Sequence, residues 1–345
     1  MPGVQSRQFV EGQAKERREQ GTFSRLAELL ANQQVLLLGF LVVMIAAFSM
    51  ANPRFLSLAS FGNVLQDWAP AVLLAAGQTF VIITAGVDLS VGSVMGLSAI
   101  SAAMIGRSLN EGGQPPSIAI GGALLGAVVV GLVCGLVNGV LVAYVKLAPF
   151  IATLATMAIA AGTTLVITNG VQVGGAPREV SRIGSSAFAS VITIPVLVTI
   201  VAVGIAGLVL KFTRFGRWTY GIGSNRFSAS AVGISVERHL VKVYMISGFF
   251  AALAGLFVYF RLGAGSPTTG LTMELTAIAA VIVGGTSLFG GRGTMTGSAL
   301  GAFLVTAVIS GLILAGVQPN WQQIVVGMLI VLSVITQQVT TRRKL

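Results

Sequence analysis

The residues best able to do chemistry in this chain are few, and most of them sit in apolar surroundings. Asp88 lies in the run Ile83-Thr84-Ala85-Gly86-Val87-Asp88-Leu89-Ser90-Val91-Gly92. A carboxylate at the centre of a bilayer is unfavourable by about 2.5–3.5 kcal/mol on insertion scales, so its presence calls for a compensating partner. Gly86, Ser90 and Gly92 around it suit a break between half-helices. There the carboxylate can accept hydrogen bonds from free backbone N–H groups at a helix start. Direct contact with a polar solute is the alternative. Gln78, Thr79, Asn138, Glu274 and Thr276 are further polar groups in or near apolar stretches. Each can make an interhelical hydrogen bond or meet a ligand. As a set they carry few ions, which suits a neutral polyhydroxyl solute better than an ionic one.

A second group lies in the polar stretch Arg214 to Lys242. Ser224 or Asn225 can cap a short helix that Gly233 ends. Within it Phe227, Ala229, Ala231 and Val232 are small or apolar, and Phe227, Ala231 and Val232 are expected to be exposed. Such a face fits a groove on a partner protein. A helix lying on the lipid surface is the rival.

Several chemistries have no residues to support them. No Gly-x-x-x-x-Gly-Lys-Ser/Thr loop occurs, and the run Gly285 to Arg292 has the wrong basic residue. No helix carries a stacked carboxylate or histidine relay for proton coupling. No His-x-x-x-His or Gly-x-Ser-x-Gly arrangement is present. One Cys and one His cannot build a metal cluster, and Cys134 reads as a packing residue in an apolar run. No catalytic residue, metal or cofactor is therefore expected in this chain, and the energy for any pumping must come from elsewhere.

The elements that position these residues follow from composition. The 345 residues are 54% hydrophobic and only 9% charged, with mean hydropathy +0.90. Soluble domains carry roughly a quarter charged residues, because their surfaces face water. The expected fold is all-α, a polytopic transmembrane bundle whose partner is the lipid bilayer. A span needs roughly 20 apolar residues to cross about 30 Å of hydrocarbon. Ten segments qualify: 34–51, 64–85, 90–106, 117–142, 148–168, 192–212, 243–262, 273–289, 294–315 and 319–338. The second and third, and the eighth and ninth, are separated by only four residues each; a single broken helix plus a re-entrant piece is the alternative for either pair, and would change the count. Residues 1–33 form a polar N-terminal tail without a cleavable signal, 34–339 the membrane domain, and 340–345 a short basic tail.

The net charge of +11 sits in islands between apolar runs, which speaks for topology and not for nucleic acid. With the N-terminus inside, alternation of ten spans puts 16 of the 21 Lys and Arg residues inside. Only Arg54, Arg107, Arg178, Arg182 and Arg261 fall outside. Both termini are thus expected in the cytoplasm. Gly92/Gly96, Gly122/Gly126, Gly131/Gly135/Gly139 and Gly297/Gly301 make four-residue ridges of small residues. Such ridges let helix backbones approach closely; tight packing within one bundle, a dimer seam and a solute path are the available uses.

Four motifs together carry a family resemblance: Gly86-Val87-Asp88-Leu89-Ser90-Val91-Gly92-Ser93, Pro149-Phe150-Ile151-Ala152-Thr153-Leu154, the Gly216–Gly233 loop, and Ala277-Ile278-Ala279-Ala280-Val281-Ile282-Val283-Gly284-Gly285-Thr286-Ser287-Leu288. In order and spacing the chain resembles the ribose/xylose-type permeases of bacterial ABC importers. The resemblance implies an inner-membrane permease that works as a pair with a second permease copy. It also implies cytoplasmic ATPase subunits that bind the ATP, and a periplasmic sugar-binding protein. On this carry-over Asn225–Gly233 is the helix seated in the ATPase. The Gly86–Gly92 and Glu274–Leu288 segments, with Asn138 nearby, line or brace the path. The chain departs from the family pattern at Thr276, where an Asp is usual, and at Ala161, where an Arg often precedes the glycine. Both changes remove a charge, which leaves another pentose, a deoxyhexose, a polyol or a signalling furanoside open as the solute.

Overall fold

The computed structural model describes residues 33–188 and 191–342. Residues 1–32 of the expected N-terminal tail and 343–345 of the C-terminal tail lie outside them. Among the described residues there are thirteen α-helices: α1 (Gln33–Ala51), α2 (Leu58–Ile83), α3 (Val91–Glu111), α4 (Pro116–Ala143), α5 (Pro149–Thr168), α6 (Arg178–Ser185), α7 (Ile194–Phe212), α8 (Arg214–Ser224), α9 (Arg226–Ala231), α10 (Val236–Leu262), α11 (Met273–Val283), α12 (Met295–Leu314) and α13 (Pro319–Arg342). A 3-10 turn, Pro53–Leu56, joins α1 to α2. A small antiparallel hairpin pairs β1 (Ala187–Phe188) with β2 (Ile192–Thr193), Ala187 opposite Thr193 and Phe188 opposite Ile192. Prolines at the first turns of α4, α5 and α7 fit positions where no backbone donor is needed.

A helix lies at each of the ten predicted segments. Five of them, α4, α5, α7, α10 and α12, are long and apolar enough to cross a membrane on length and composition. Most of α4, α5 and α7 is unburied although apolar, with Leu125, Val129, Ile159, Val166, Val201 and Leu208 exposed. Only lipid makes such surfaces favourable. α10 and α12 are largely buried, and every residue of α2 from Ala69 to Ile83 is buried. The centre is therefore α2 and α10, with α3, α4, α11 and α12 packed around them.

The longest glycine ridge is a seam inside this bundle. Gly131, Gly135 and Gly139 of α4 lie against Gly248, Tyr244 and Val241 of α10, so close that a Cβ would overlap the α10 backbone. Gly297 and Gly301 pack in the same way on Gly284 and Ala280. The Gly92/Gly96 ridge differs, because it receives the chain that leads into α11 and only that helix's first turn. The carbonyls of Gly270 and Thr269 sit on it, and Gly265 lies over Ala99 and Ile100. A non-helical segment of bends and turns, residues 263–272, thus runs along α3 into the bundle.

That segment corrects the eighth predicted span. Helix does not continue over 273–289; α11 stops at Val283 after 11 residues, about 16 Å at 1.5 Å per residue and half of a bilayer core. The turns of residues 263–272 supply the remaining depth. Non-helical backbone is tolerated there only when protein covers it, and glycines 92, 96, 265 and 270 make that cover possible. Gly270 (φ +85°) and Thr272 (φ +65°) both adopt left-handed backbone just before α11 starts.

The loops gather at two ends. At one, the Arg226 guanidinium donates to the Thr84 carbonyl at 3.3 Å, the Gly291 N–H to the Ile83 carbonyl at 2.9 Å, and the Tyr220 hydroxyl to the Gly293 carbonyl at 2.7 Å. Burial pushes the Tyr220 phenol above its ordinary value, which keeps it a donor. We call this the α9 end. At the hairpin end, Arg261 pairs with Asp67 at 2.7 Å, and Val173 and Gly265 exchange backbone hydrogen bonds at 2.8 and 2.9 Å.

Candidate functional site

The first candidate site is a junction of two helix starts. After α2 ends at Ile83 the chain turns back into the bundle, and the Gln78 side-chain amide donates to the Asp88 carbonyl at 2.7 Å. Five residues of α2 separate Gln78 from Ile83, so Asp88 stands roughly 7 Å inward of that helix end. α3 starts from that depth. α11 starts beside it, pointing the other way, because Gly92 abuts both the Gly270 carbonyl and the Glu274 carboxylate. The two sequence motifs, around Asp88 and around Glu274, therefore meet inside the bundle.

Asp88 is 1% exposed, and its carboxylate is fully engaged. Oδ1 accepts from the Ser90 N–H at 3.0 Å and the Ser90 hydroxyl at 2.6 Å. Oδ2 accepts from the Ser247 hydroxyl at 2.8 Å. Ser90 Oγ in turn accepts from Asn138 Nδ2 at 2.8 Å, and Asn138 Oδ1 accepts from the Thr156 hydroxyl at 2.6 Å. One buried chain of hydrogen bonds thus ties the helix break to α4, α5 and α10. Because a charged acceptor in a dry interior needs several donors, Asp88 fastens the start of α3. The residue in the N-cap position of α3 is Ser90, whose side chain makes no cap bond, so Asp88 acts two residues earlier than a cap would.

The predicted path residues separate into two groups. Gly86, Asp88, Ser90, Gly92 and Asn138 are buried and brace the junction. Glu274 and Thr276 are half-buried at the start of α11. Thr276 lines a cavity of about 650 Å³ that runs from the Asp67–Arg261 pair past Met95 to α12 and α13. Its polar lining comes from Thr269, Thr272, Thr276, Thr306, Gln322 and Gln323. Thr79 is taken up by the bundle, donating to Ser298 Oγ at 2.7 Å. Ser247, Thr156 and Gly270 were not anticipated. A lone Ser or Thr on an apolar helix, as in Ile246-Ser247-Gly248, was the available signal.

The second candidate site is α9 at the opposite end. Asn225 caps it, its Oδ1 accepting from the Ser228 N–H at 3.0 Å. Gly233 stops it at φ +84°, with its N–H on the Ser230 carbonyl (2.9 Å) and the Ile234 N–H on the Ala229 carbonyl (3.2 Å). This paired arrangement is the glycine C-terminal motif expected from the sequence. Ala229 is buried against Ala143, Ile222, Val236 and Leu240, so it anchors the helix and does not face outward. Phe227 and Val232 are 83% and 76% exposed, and Ala231 and Gly233 are exposed beside them.

With this geometry in view, the likeness to known proteins is specific. A family model described as the permease component of a branched-chain amino acid transport system matches residues 60–334. The ribose import permease of Haemophilus influenzae is 38% identical over 309 residues, covering 88% of this chain and 93% of that protein. The fructose import permease of Rhizobium meliloti is 34% identical over 310 residues (86% and 83% coverage). The galactose/methyl galactoside import permease of Haemophilus influenzae is 36% identical over 313 residues (85% and 90%). The chain belongs to this family of import-system permeases and is a multi-pass membrane permease subunit of the ABC-importer type.

Proposed function

We propose that the chain passes a monosaccharide or related polyhydroxyl solute across the bacterial inner membrane, driven by separate ATPase subunits that bind all the ATP. The observation that carries this reading is α9. It is a capped and anchored helix whose outward face, Phe227 and Val232, has no partner among the described residues. A helix built this way is shaped for a groove on another protein. Its anchorage reaches the helix break, through Arg226 on the Thr84 carbonyl and Gly291 on the Ile83 carbonyl. Force applied at α9 is thereby delivered to the segment that leads to Asp88.

The α9 end is the cytoplasmic one in this reading, with both termini on that side. The loops gathered there carry Lys146, Arg214, Arg217, Arg226, Arg238, Lys242 and Arg292, which agrees with the positive-inside asymmetry. The cavity opens toward the opposite, periplasmic end, where a sugar-binding protein delivers the solute. Its threonines and glutamines suit hydroxyl groups, and no catalytic constellation accompanies them. Leu271 and Leu275 stand exposed beside the cavity and suit a second permease copy that completes the path.

The direct test is co-purification of the partner ATPase with Phe227→Glu. The expected result is an inserted permease that no longer retains the ATPase. Full retention with normal uptake would refute the role assigned to α9.

A further inference from the structure

We propose that a cleft at the hairpin end seats one acyl chain of a membrane phospholipid, whose phosphate is held by Arg182. The cleft holds about 330 Å³ and lies between α2, α4, α6, α7 and α10. Leu73, Leu124, Ile183, Val198, Leu253 and Phe257 line it, with Thr199 as its single polar residue. Leu253 to Phe260 along α10 gives a depth of about 10 Å. It borders the unburied apolar face of α7, where Leu197, Val201 and Ile205 stand exposed. A dry apolar cleft opening on hydrocarbon takes an alkyl chain in preference to a sugar or water.

The headgroup end is supplied by α6. This helix lies across the end of α10: Gly184 is so close to the Phe260 carbonyl that a Cβ would overlap it, and Val180 is fully buried. Ile183 covers the cleft, whereas Arg178 and Arg182 point away from the core and are exposed. They outnumber Glu179, the helix's only acid, and neither arginine takes part in the two ion pairs found among the described residues. Phe188 on the adjacent hairpin is 69% exposed, an apolar ring near these arginines in the chain. Arginine there matches a phosphodiester by charge and by its forked donors. One basic residue near a membrane surface favours an anionic group by about 1 kcal/mol, roughly fivefold.

Native mass spectrometry of the delipidated full-length chain in detergent provides the test, with phosphatidylglycerol, diacylglycerol of the same chains, and palmitate as probes. The expected result is one retained phosphatidylglycerol bound about fivefold tighter than diacylglycerol, with palmitate weaker still. Arg182→Gln should bring phosphatidylglycerol down to the diacylglycerol level. Val198→Trp, at the exposed rim, should weaken both by filling the cleft. Equal retention of phosphatidylglycerol and diacylglycerol by the unaltered chain would overturn the headgroup assignment. Unchanged retention in Val198→Trp would overturn the cleft and leave only unselective lipid around the bundle.

Discussion

Ser247, in the middle of α10, donates a 2.8 Å hydrogen bond to Oδ2 of Asp88, 159 residues earlier in the chain. That one contact joins the central helix of the bundle to the break from which α3 starts. Through Ser90 and Asn138 it extends to the Thr156 hydroxyl on α5. The charge is buried, and its cost is offset by three donors instead of by a cation.

Removing those bonds separates two roles for the residue. Asp88→Asn keeps an acceptor for Ser90, and its amide can donate to Ser247 Oγ. We expect uptake within about threefold of the parent and a stability loss near 1 kcal/mol. Asp88→Ala leaves the Ser90 N–H, the Ser90 hydroxyl and the Ser247 hydroxyl without their acceptor, at about 1–3 kcal/mol for each buried group. Thermal unfolding of the purified permease beside uptake in cells checks both. Equal behaviour of the two variants would show that the hydrogen bonds do not hold the junction.

Gly92 makes a sharper steric prediction. A methyl group there meets the Gly270 carbonyl and the Glu274 carboxylate, and such overpacking is destabilising by about 1–3 kcal/mol. Gly121, on the same kind of helix, has open space around it. Gly121→Ala should therefore be neutral or stabilise by about 0.5–1 kcal/mol. Parallel melting curves of Gly92→Ala and Gly121→Ala should diverge, and coincident curves would mean that the 263–272 segment does not lie on α3.

The cap of α9 can be weakened without touching its outward face. Asn225→Ala removes the bond to the Ser228 N–H and should destabilise the short helix by about 1 kcal/mol. Hydrogen exchange of the amides in residues 226–232 should quicken by roughly fivefold, while those of α10 stay protected. Gly233→Glu, which puts a charged side chain at φ +84°, should also abolish uptake with the chain still inserted. Normal uptake in Gly233→Glu would speak against contact between this end and a motor.

Much of this was legible in the residues themselves. Asp88 advertised its need for donors because charge in an apolar run is unfavourable, and local chemistry narrowed the start of α9 to Ser224 or Asn225 and put its end at Gly233. What escaped has a common physical cause. Hydropathy reports that residues 273–289 are apolar, but irregular chain and helix are equally acceptable in the interior once neighbouring protein covers the backbone. The narrow gap after residue 289 left a broken or re-entrant piece open without locating the end of α11, and the use of Gly92 and Gly96 as a bed for the chain leading into α11 was hidden. Phe227, Ala231 and Val232 are exposed as expected, whereas the anchoring burial of Ala229 was not specified: at six residues, a helix has too few turns for its buried side to be read from spacing. Ser247 and Thr156 were missed because a single hydroxyl on an apolar helix satisfies itself on its own backbone as readily as across the bundle.

The most direct measurement is solute flux in proteoliposomes that contain the purified permease, with the sugar-binding protein outside. The account predicts no accumulation and no ATP hydrolysis from the permease alone, and ATP-dependent uptake once the ATPase subunits are added. Accumulation of sugar against its gradient in the absence of any ATPase would contradict it.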